Sequence, residues 1–324
     1  MTVPPPAPER VARFRAGLEA LIPAVPGAAP GRLGVAVSGG PDSLALLLLA
    51  YAACPGRIEA ATVDHRLRPE SAAEAAFVAQ ICARLGVPHA VLRADAPIHG
   101  NVQSGARALR YRLLAGWAAE RGVAWLLTGH HADDQAETLL MRLDRGAGLG
   151  GLAAIRAATG IAGLAVARPL LGWRRAELAA IVAEAGLEAI ADPSNCDDRF
   201  DRVRLRKRLA ETAWIDPVPL AGSAAALAEA DAALDWTAER LAGERIGAVP
   251  GGLTLDPADV PPELRRRLLL RILATLVPGE PPRGDAVQRL LAALDAGETA
   301  TLAGVKCKGG PIWRFEPEPP RRAP

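Results

Sequence analysis

Two stretches of the sequence combine residue types suited to chemistry on phosphates and on amines. The first is Ser38-Gly39-Gly40-Pro41-Asp42-Ser43, set between the apolar runs LGVAV and LALLLL. Two glycines let backbone N–H groups approach an anion, the serines add hydroxyl donors, and a helix starting at Pro41 would turn its positive end toward the loop. Asp42 is then placed to hold a magnesium ion against phosphate oxygens. The same Pro-Asp-Ser triplet also starts ordinary helices. It is not a Walker A loop, since no G-x-x-x-x-G-K-[ST] occurs and no lysine is near. The second stretch runs from His130-His131 through Asp133 and Asp134 to Glu137. On a helix, carboxylates three and four positions apart stack along one edge and attract a cation. The two aspartates also suit the helix dipole, and His130 with these carboxylates is a donor set of metal-ligand type.

Strands and helices must bring these stretches together. From Leu33 to about Leu170, short apolar runs (LGVAVS, IEAATVD, HAVLRAD, VAWLLTGH, GLAVARPL) alternate with helical patterns that start at Asp42 and cover Glu70–Leu85, Gln103–Glu120, Asp133–Arg145 and Arg174–Glu184. That alternation predicts an α/β fold, a doubly wound parallel sheet whose ligands gather at the carboxyl ends of the strands. The spacing predicts a helical lead-in over 1–30, a catalytic domain over 31–215, a small and mainly helical domain over 216–295, and a short hairpin with a Pro-rich tail over 296–324. GAGLGG at 146–151 follows a helix rather than a strand, so it reads as a Gly-rich loop or helix stop and not as a dinucleotide fingerprint.

Composition narrows the function classes. The chain has 324 residues and a net charge of +2, so any basic surface must be local. One such surface is Arg199–Arg208, with five arginines and one lysine against Asp201. Planar guanidiniums beside a nucleotide site suit a polyanionic substrate, although Asp197, Asp198 and Asp201 could equally neutralise a solvated helix face. Arg107, Arg110 and Arg112 are further cations that could add to the same surface or reach a bound phosphate. Cys54, Cys82, Cys196 and Cys307 stand singly, which excludes a zinc or iron–sulfur site built from neighbours and suits a reduced, cytoplasmic protein. No apolar run is long enough to span a membrane, and no signal peptide is recognisable.

S-G-G-x-D-S after the first strand resembles the signature of the PP-loop ATP pyrophosphatases. VDHRLRPESAAEAAF, LLTGHHADDQAETLLMRLDRGAGLGGLAAI, RPLLGWRRAEL and ADPSNCDDRFDRVRLRKRL follow it in the order and spacing of the tRNA(Ile)-lysidine synthetases, and the chain resembles that family across roughly residues 31–210. It has Arg66 where the family usually has glycine, and Arg202-Val203 where the family has Arg-Asn. The resemblance implies a ligase that uses ATP and Mg²⁺ to adenylate the wobble cytidine of a CAU-anticodon tRNA(Ile), free lysine then displacing AMP. It further implies that Ser38, Gly39, Gly40, Pro41, Asp42 and Ser43 bind ATP, with Asp42 on magnesium. Asp64 and His65 would line the nucleotide pocket. His130, Asp134 and Glu137 would join Asp42 in catalysis, and Asp133, Asp134 and Glu137 would bind lysine. Arg199, Arg202, Arg204 and Arg206 would contact tRNA. A homodimer is one assembly the sequence permits. The rivals are a PP-loop tRNA thiolase, which predicts paired cysteines near the catalytic strands, a small-molecule synthetase of the same superfamily, and a non-catalytic nucleotide-binding regulator.

Overall fold

The computed structural model describes residues 3–22, 31–66, 70–93, 102–190, 199, 201–212, 215–280 and 282–318. The chain divides into two compact units, Met1–Ala228 and Glu229–Pro324. The first contains α1 (Pro8–Leu21), β1 (Arg32–Ala36), α2 (Pro41–Ala53), β2 (Ile58–Asp64), α3 (Ser71–Leu85), β3 (His89–Arg93), α4 (Val102–Arg121), β4 (Val123–Leu127), α5 (Ala132–Asp144), α6 (Leu149–Leu152), β5 (Ala158–Ile161), β6 (Leu164–Ala167), α7 (Arg175–Glu184) and α8 (Asp201–Ala210). The division between units falls within α9 (Pro217–Arg245).

The sheet of the first unit has the order β3-β2-β1-β4-β6-β5. Every pair is parallel except β5 with β6. The five expected strands are β1, β2, β3, β4 and β6. The chain leaves β1 toward β2 and β3, then returns to β4 on the other side of β1. That reversal puts the topological switch point between β1 and β4, where a crevice opens at the strand ends. Helix α2 is apolar almost all round, with residues 43–50 buried, and fills the core on one face with Phe14, Leu18 and Ile181. On the other face, Tyr111, Leu114 and Trp117 of α4 pack on β1, β4 and β6. A Cβ on Gly34 would lie 2.9 Å from the Trp117 ring, so the close approach of α4 to β1 requires glycine there.

β5 escaped the sequence reading because ATGI is short and lacks an apolar run. Ala162 and Gly163 form the turn to β6 with φ of 51° and 77°. Positive φ at both central residues is the two-residue hairpin turn that matches strand twist.

The second unit corrects part of the expected layout. Beyond α9 the chain forms β7 (Ile246–Val249), β8 (Gly252–Leu255), α10 (Pro262–Leu276), α11 (Gly284–Asp295), β9 (Thr299–Leu302), β10 (Val305–Lys308) and β11 (Trp313–Pro317). LTL at 253–255, read with the helix that follows, is a strand. The terminal hairpin is part of a five-stranded antiparallel sheet of order β7-β8-β11-β10-β9. Leu268, Ile272, Leu290, Val305, Trp313 and Phe315 make its core with α10 and α11. Among the described residues, no helix is long and apolar enough to cross a membrane.

Candidate active site

The loop after β1 is built as its sequence implies. Gly39 has φ of +90°. A Cβ there would sit 2.3 Å from Ile190 Cδ1, while the Gly39 carbonyl accepts a hydrogen bond from Ile190 N at 2.9 Å. The Ser43 hydroxyl wires the loop: it accepts from Ser38 N at 3.1 Å and donates to the Gly40 carbonyl at 3.0 Å. No side chain caps α2, whose first residue is Pro41, so the amides of its first turn are left to an anion. Gly39→Ala is therefore expected to weaken binding of a non-hydrolysable ATP analogue about tenfold and to cost roughly 1–2 kcal/mol of stability. Calorimetric titration and urea unfolding read the two effects, and unchanged affinity would contradict the loop's role.

Beside it, β2 ends in Asp64 and His65. Asp64 accepts from Ser71 Oγ at 2.7 Å and Arg66 N at 2.9 Å. The Ser71 hydroxyl leads in holding its pKa low. Arg66, at the position where glycine was anticipated, has φ of +51°, the left-handed conformation that glycine adopts most readily.

On the other side of β1, the chain leaves β4 through Thr128, Gly129, His130 and His131 into α5. A Cβ on Gly129 would lie 2.9 Å from the Asp42 carbonyl, so glycine lets the two strand-end loops touch. His131 is buried and forms the N-cap of α5. Its Nε2 lies 3.5 Å from Asp42 Oδ2 and 3.6 Å from Asp134 Oδ2, and its Nδ1 lies 3.5 Å from Asp133 Oδ2. Its backbone N donates to Asp134 Oδ2 at 3.2 Å. Burial opposes the cation, but Asp133, Asp42 and Asp134 outweigh it and push the pKa up to about 10. His131, not singled out from the sequence, thus joins the PP-loop aspartate to the acidic start of α5.

His130 has the opposite environment. Thr128 Oγ1 lies 3.0 Å from its Nδ1, and burial, reinforced by Arg168, Arg110 and Arg107 against Asp134, pushes its pKa down to about 4. Burial also lowers the pKa of His65 and His89. His130, held down to about 4, and His65 and His89, lowered by burial, take up protons less readily in the folded than in the unfolded chain, which makes the protein acid-labile. Their effect is absent above about pH 6.5 and grows as pH falls toward about 4, because the unfolded chain takes up more protons. His131 acts in another window: its stabilisation is complete below 6.5 and is lost as pH rises toward 10. Urea midpoints are expected to fall steadily from about pH 6.5 to about pH 4.5. A constant midpoint down to about pH 5 would contradict the lowered proton affinities.

The carboxylates of α5 are not an open acidic edge. Asp133 Oδ2 accepts from Arg175 N at 2.9 Å and so ties α5 to the start of α7. Glu137, buried, is gripped from α8: Arg206 donates from Nε to Oε1 at 2.7 Å and from Nη2 to Oε2 at 3.1 Å, and Arg202 Nε lies 3.1 Å from Oε2. Arg202 also donates to Thr138 Oγ1 at 2.7 Å. Of the four arginines expected at tRNA, Arg202 and Arg206 therefore bind Glu137, although Arg202 is itself exposed like Arg199 and Arg204, and Arg204 pairs with Asp201. Asp197 and Asp198 lie outside the described residues.

Asp42 Oδ1 is buried with no hydrogen-bond partner among the described residues. A carboxylate oxygen left this way beside a phosphate loop fits a divalent cation shared with phosphate oxygens. Among the described residues, no group of three or more His, Cys, Asp or Glu could hold a metal by protein ligands alone. The described cysteines, Cys54, Cys82 and Cys307, are buried, and burial pushes the thiols of Cys82 and Cys307 up to about 12.

Residues 13–213 match the PP-loop domain family. The chain is 50% identical over 316 residues to the tRNA(Ile)-lysidine synthase of Novosphingobium aromaticivorans, covering 96% of this chain and 94% of that protein. It is 46% identical over 297 residues to the tRNA(Ile)-lysidine synthase of Zymomonas mobilis subsp. mobilis, covering 90% of each. The chain belongs to the tRNA(Ile)-lysidine synthase family. Its fold is also that of the U34-tRNA thiolase NcsA from Methanococcus maripaludis, with a TM-score of 0.55 at 16% identity over 68% of this chain and 79% of that one. One departure from the lysidine synthase pattern has a visible setting: Val203, where asparagine was anticipated, is buried.

Proposed function

We propose that this chain joins free L-lysine to C2 of the wobble cytidine in a CAU-anticodon tRNA(Ile), in the cytoplasm, consuming ATP. The observation that carries the reading is His131, which spans 3.5–3.6 Å to the PP-loop aspartate and to both aspartates of α5. The phosphate-activating loop and the cation-attracting helix start are thus one site. The name of the relatives, tRNA(Ile)-lysidine synthase, supports this choice of substrate.

In the first step, cytidine O2 attacks the α-phosphorus of ATP, the bond to the β-phosphate breaks and diphosphate leaves. Backbone amides at Gly39, Gly40 and the first turn of α2 hold the phosphates, with Ser38 and Ser43 shaping the loop. Magnesium held at Asp42 would neutralise phosphate charge. Asp64 and His65 line the nucleotide pocket. In the second step, the lysine ε-amine attacks C2, the C2–O bond breaks and AMP leaves. Asp133 and Asp134 draw the ammonium in, and neutral His130 accepts the proton that the amine must lose. Glu137 serves the site by holding Arg206 and Arg202, and Arg199 and Arg204 meet the tRNA backbone. Diphosphate release is expected only with tRNA(Ile) present, and AMP release only when lysine is added. Diphosphate release without tRNA would contradict this scheme.

A further inference from the structure

A second cationic position stands at the carboxyl end of β6, and none of the roles above uses it. Arg168 follows Ala167 directly. Its amide donates to the Ala157 carbonyl at 2.8 Å, and Thr128 N donates to the Ala167 carbonyl at 3.1 Å. Its side chain therefore starts from the sheet edge where β4, β5 and β6 meet. Arg168 is only 3% exposed. Nη1 donates to the Arg156 carbonyl at 2.6 Å and the guanidinium is also within hydrogen-bond reach of the Tyr111 hydroxyl, but the Nε–H is buried with no acceptor, and no carboxylate pairs with this guanidinium among the described residues. A buried guanidinium without a counter-ion is unfavourable, and the imbalance calls for an anion.

The neighbours deepen the imbalance. Tyr111 of α4 is buried, and the Arg107 guanidinium lies 5.2 Å from its ring centre. Burial lowers the pKa of Arg168 and of Arg110, and the charge of Arg107 pushes both the same way, against Tyr111. His130 and His65 both feel Arg110, and His65 Nδ1 is itself buried without a partner. Among the described residues, neither Arg107 nor Arg110 has a carboxylate partner. One carboxylate, Asp134, favours the charged form of His130. It already faces His131.

We propose that Arg168, with Arg110, forms a phosphate site at the carboxyl ends of β4 and β6, separate from the loop after β1. The ligand is a phosphate group, supplied either by ATP as its diphosphate departs or by a backbone phosphodiester beside the target cytidine; the second source rests on the function proposed above.

The test uses the full-length Arg168→Gln and Arg168→Lys variants beside wild type. Calorimetry reads affinity for an α,β-methylene ATP analogue, and filter binding reads affinity for tRNA(Ile) across a salt series. If ATP supplies the phosphate, Arg168→Gln weakens analogue binding about tenfold and leaves tRNA binding alone. If the RNA supplies it, tRNA affinity falls about tenfold and the slope of log K against log salt shrinks by about one contact. In either case Arg168→Lys recovers most of the loss. A folded Arg168→Gln protein matching wild type in both affinities overturns the site; should that variant not fold, Arg110→Gln reads the same site by the same criteria. Wild type that binds neither ligand contradicts the proposed function instead, whereas wild type that binds both, with variants that match it, contradicts only this site.

Discussion

Asp42→Asn is expected to lower the rate of lysine transfer by about 10³-fold, on the order of 4 kcal/mol of transition-state stabilisation, while reducing affinity for an ATP analogue far less. Asparagine keeps the shape of the side chain, so α2 and its loop stay in place. What disappears is the negative charge at an oxygen that is buried and unpartnered beside the phosphate loop. The same change removes one of the three carboxylates around His131 and lowers the proton affinity of that ring. Single-turnover kinetics with saturating ATP and tRNA separate the effects. If Asp42 only caps the helix, the rate would fall by a small factor that tracks stability.

Glu137→Gln is expected to be the most destabilising single change in the site. The buried carboxylate answers two guanidiniums, and Arg206 makes both of its bonds to it. Removing one partner of a buried ion pair leaves the other charge uncompensated, a cost of about 3–5 kcal/mol when both are enclosed. Here Arg202 and Arg206 are 43% and 27% exposed, so solvent screens part of the loss and roughly 2–3 kcal/mol is expected. Adding Arg206→Gln should return part of it, because the stranded charge goes with the second change. Urea unfolding of the two single variants and the double variant gives the coupling; strictly additive losses would show that the pair is not coupled in the way its geometry requires.

How far the sequence carried the reading depended on the distance between interacting residues. The loop Ser38–Ser43 and the strand–helix alternation were legible because turn chemistry and apolar periodicity are local. The link between His131 and Asp134 was within reach: His131 stands two residues before an Asp-Asp pair at a helix start and three residues from Asp134, the spacing of a capping box. The grip of Arg206 on Glu137 was not, since the two are 69 residues apart and each separately reads as a surface charge. β7 and β8 were hidden for another reason. GAV and LTL are too short to establish a two-residue period beside the long helical patterns on either side.

The central claim is tested most directly by incubating labelled lysine, ATP and Mg²⁺ with two CAU-anticodon transcripts, the isoleucine tRNA and the elongator methionine tRNA, using wild-type protein and Asp42→Asn. Label in the isoleucine transcript alone, lost with Asp42→Asn, is the predicted result. A folded, ATP-binding wild-type protein that leaves both transcripts unlabelled would contradict the account.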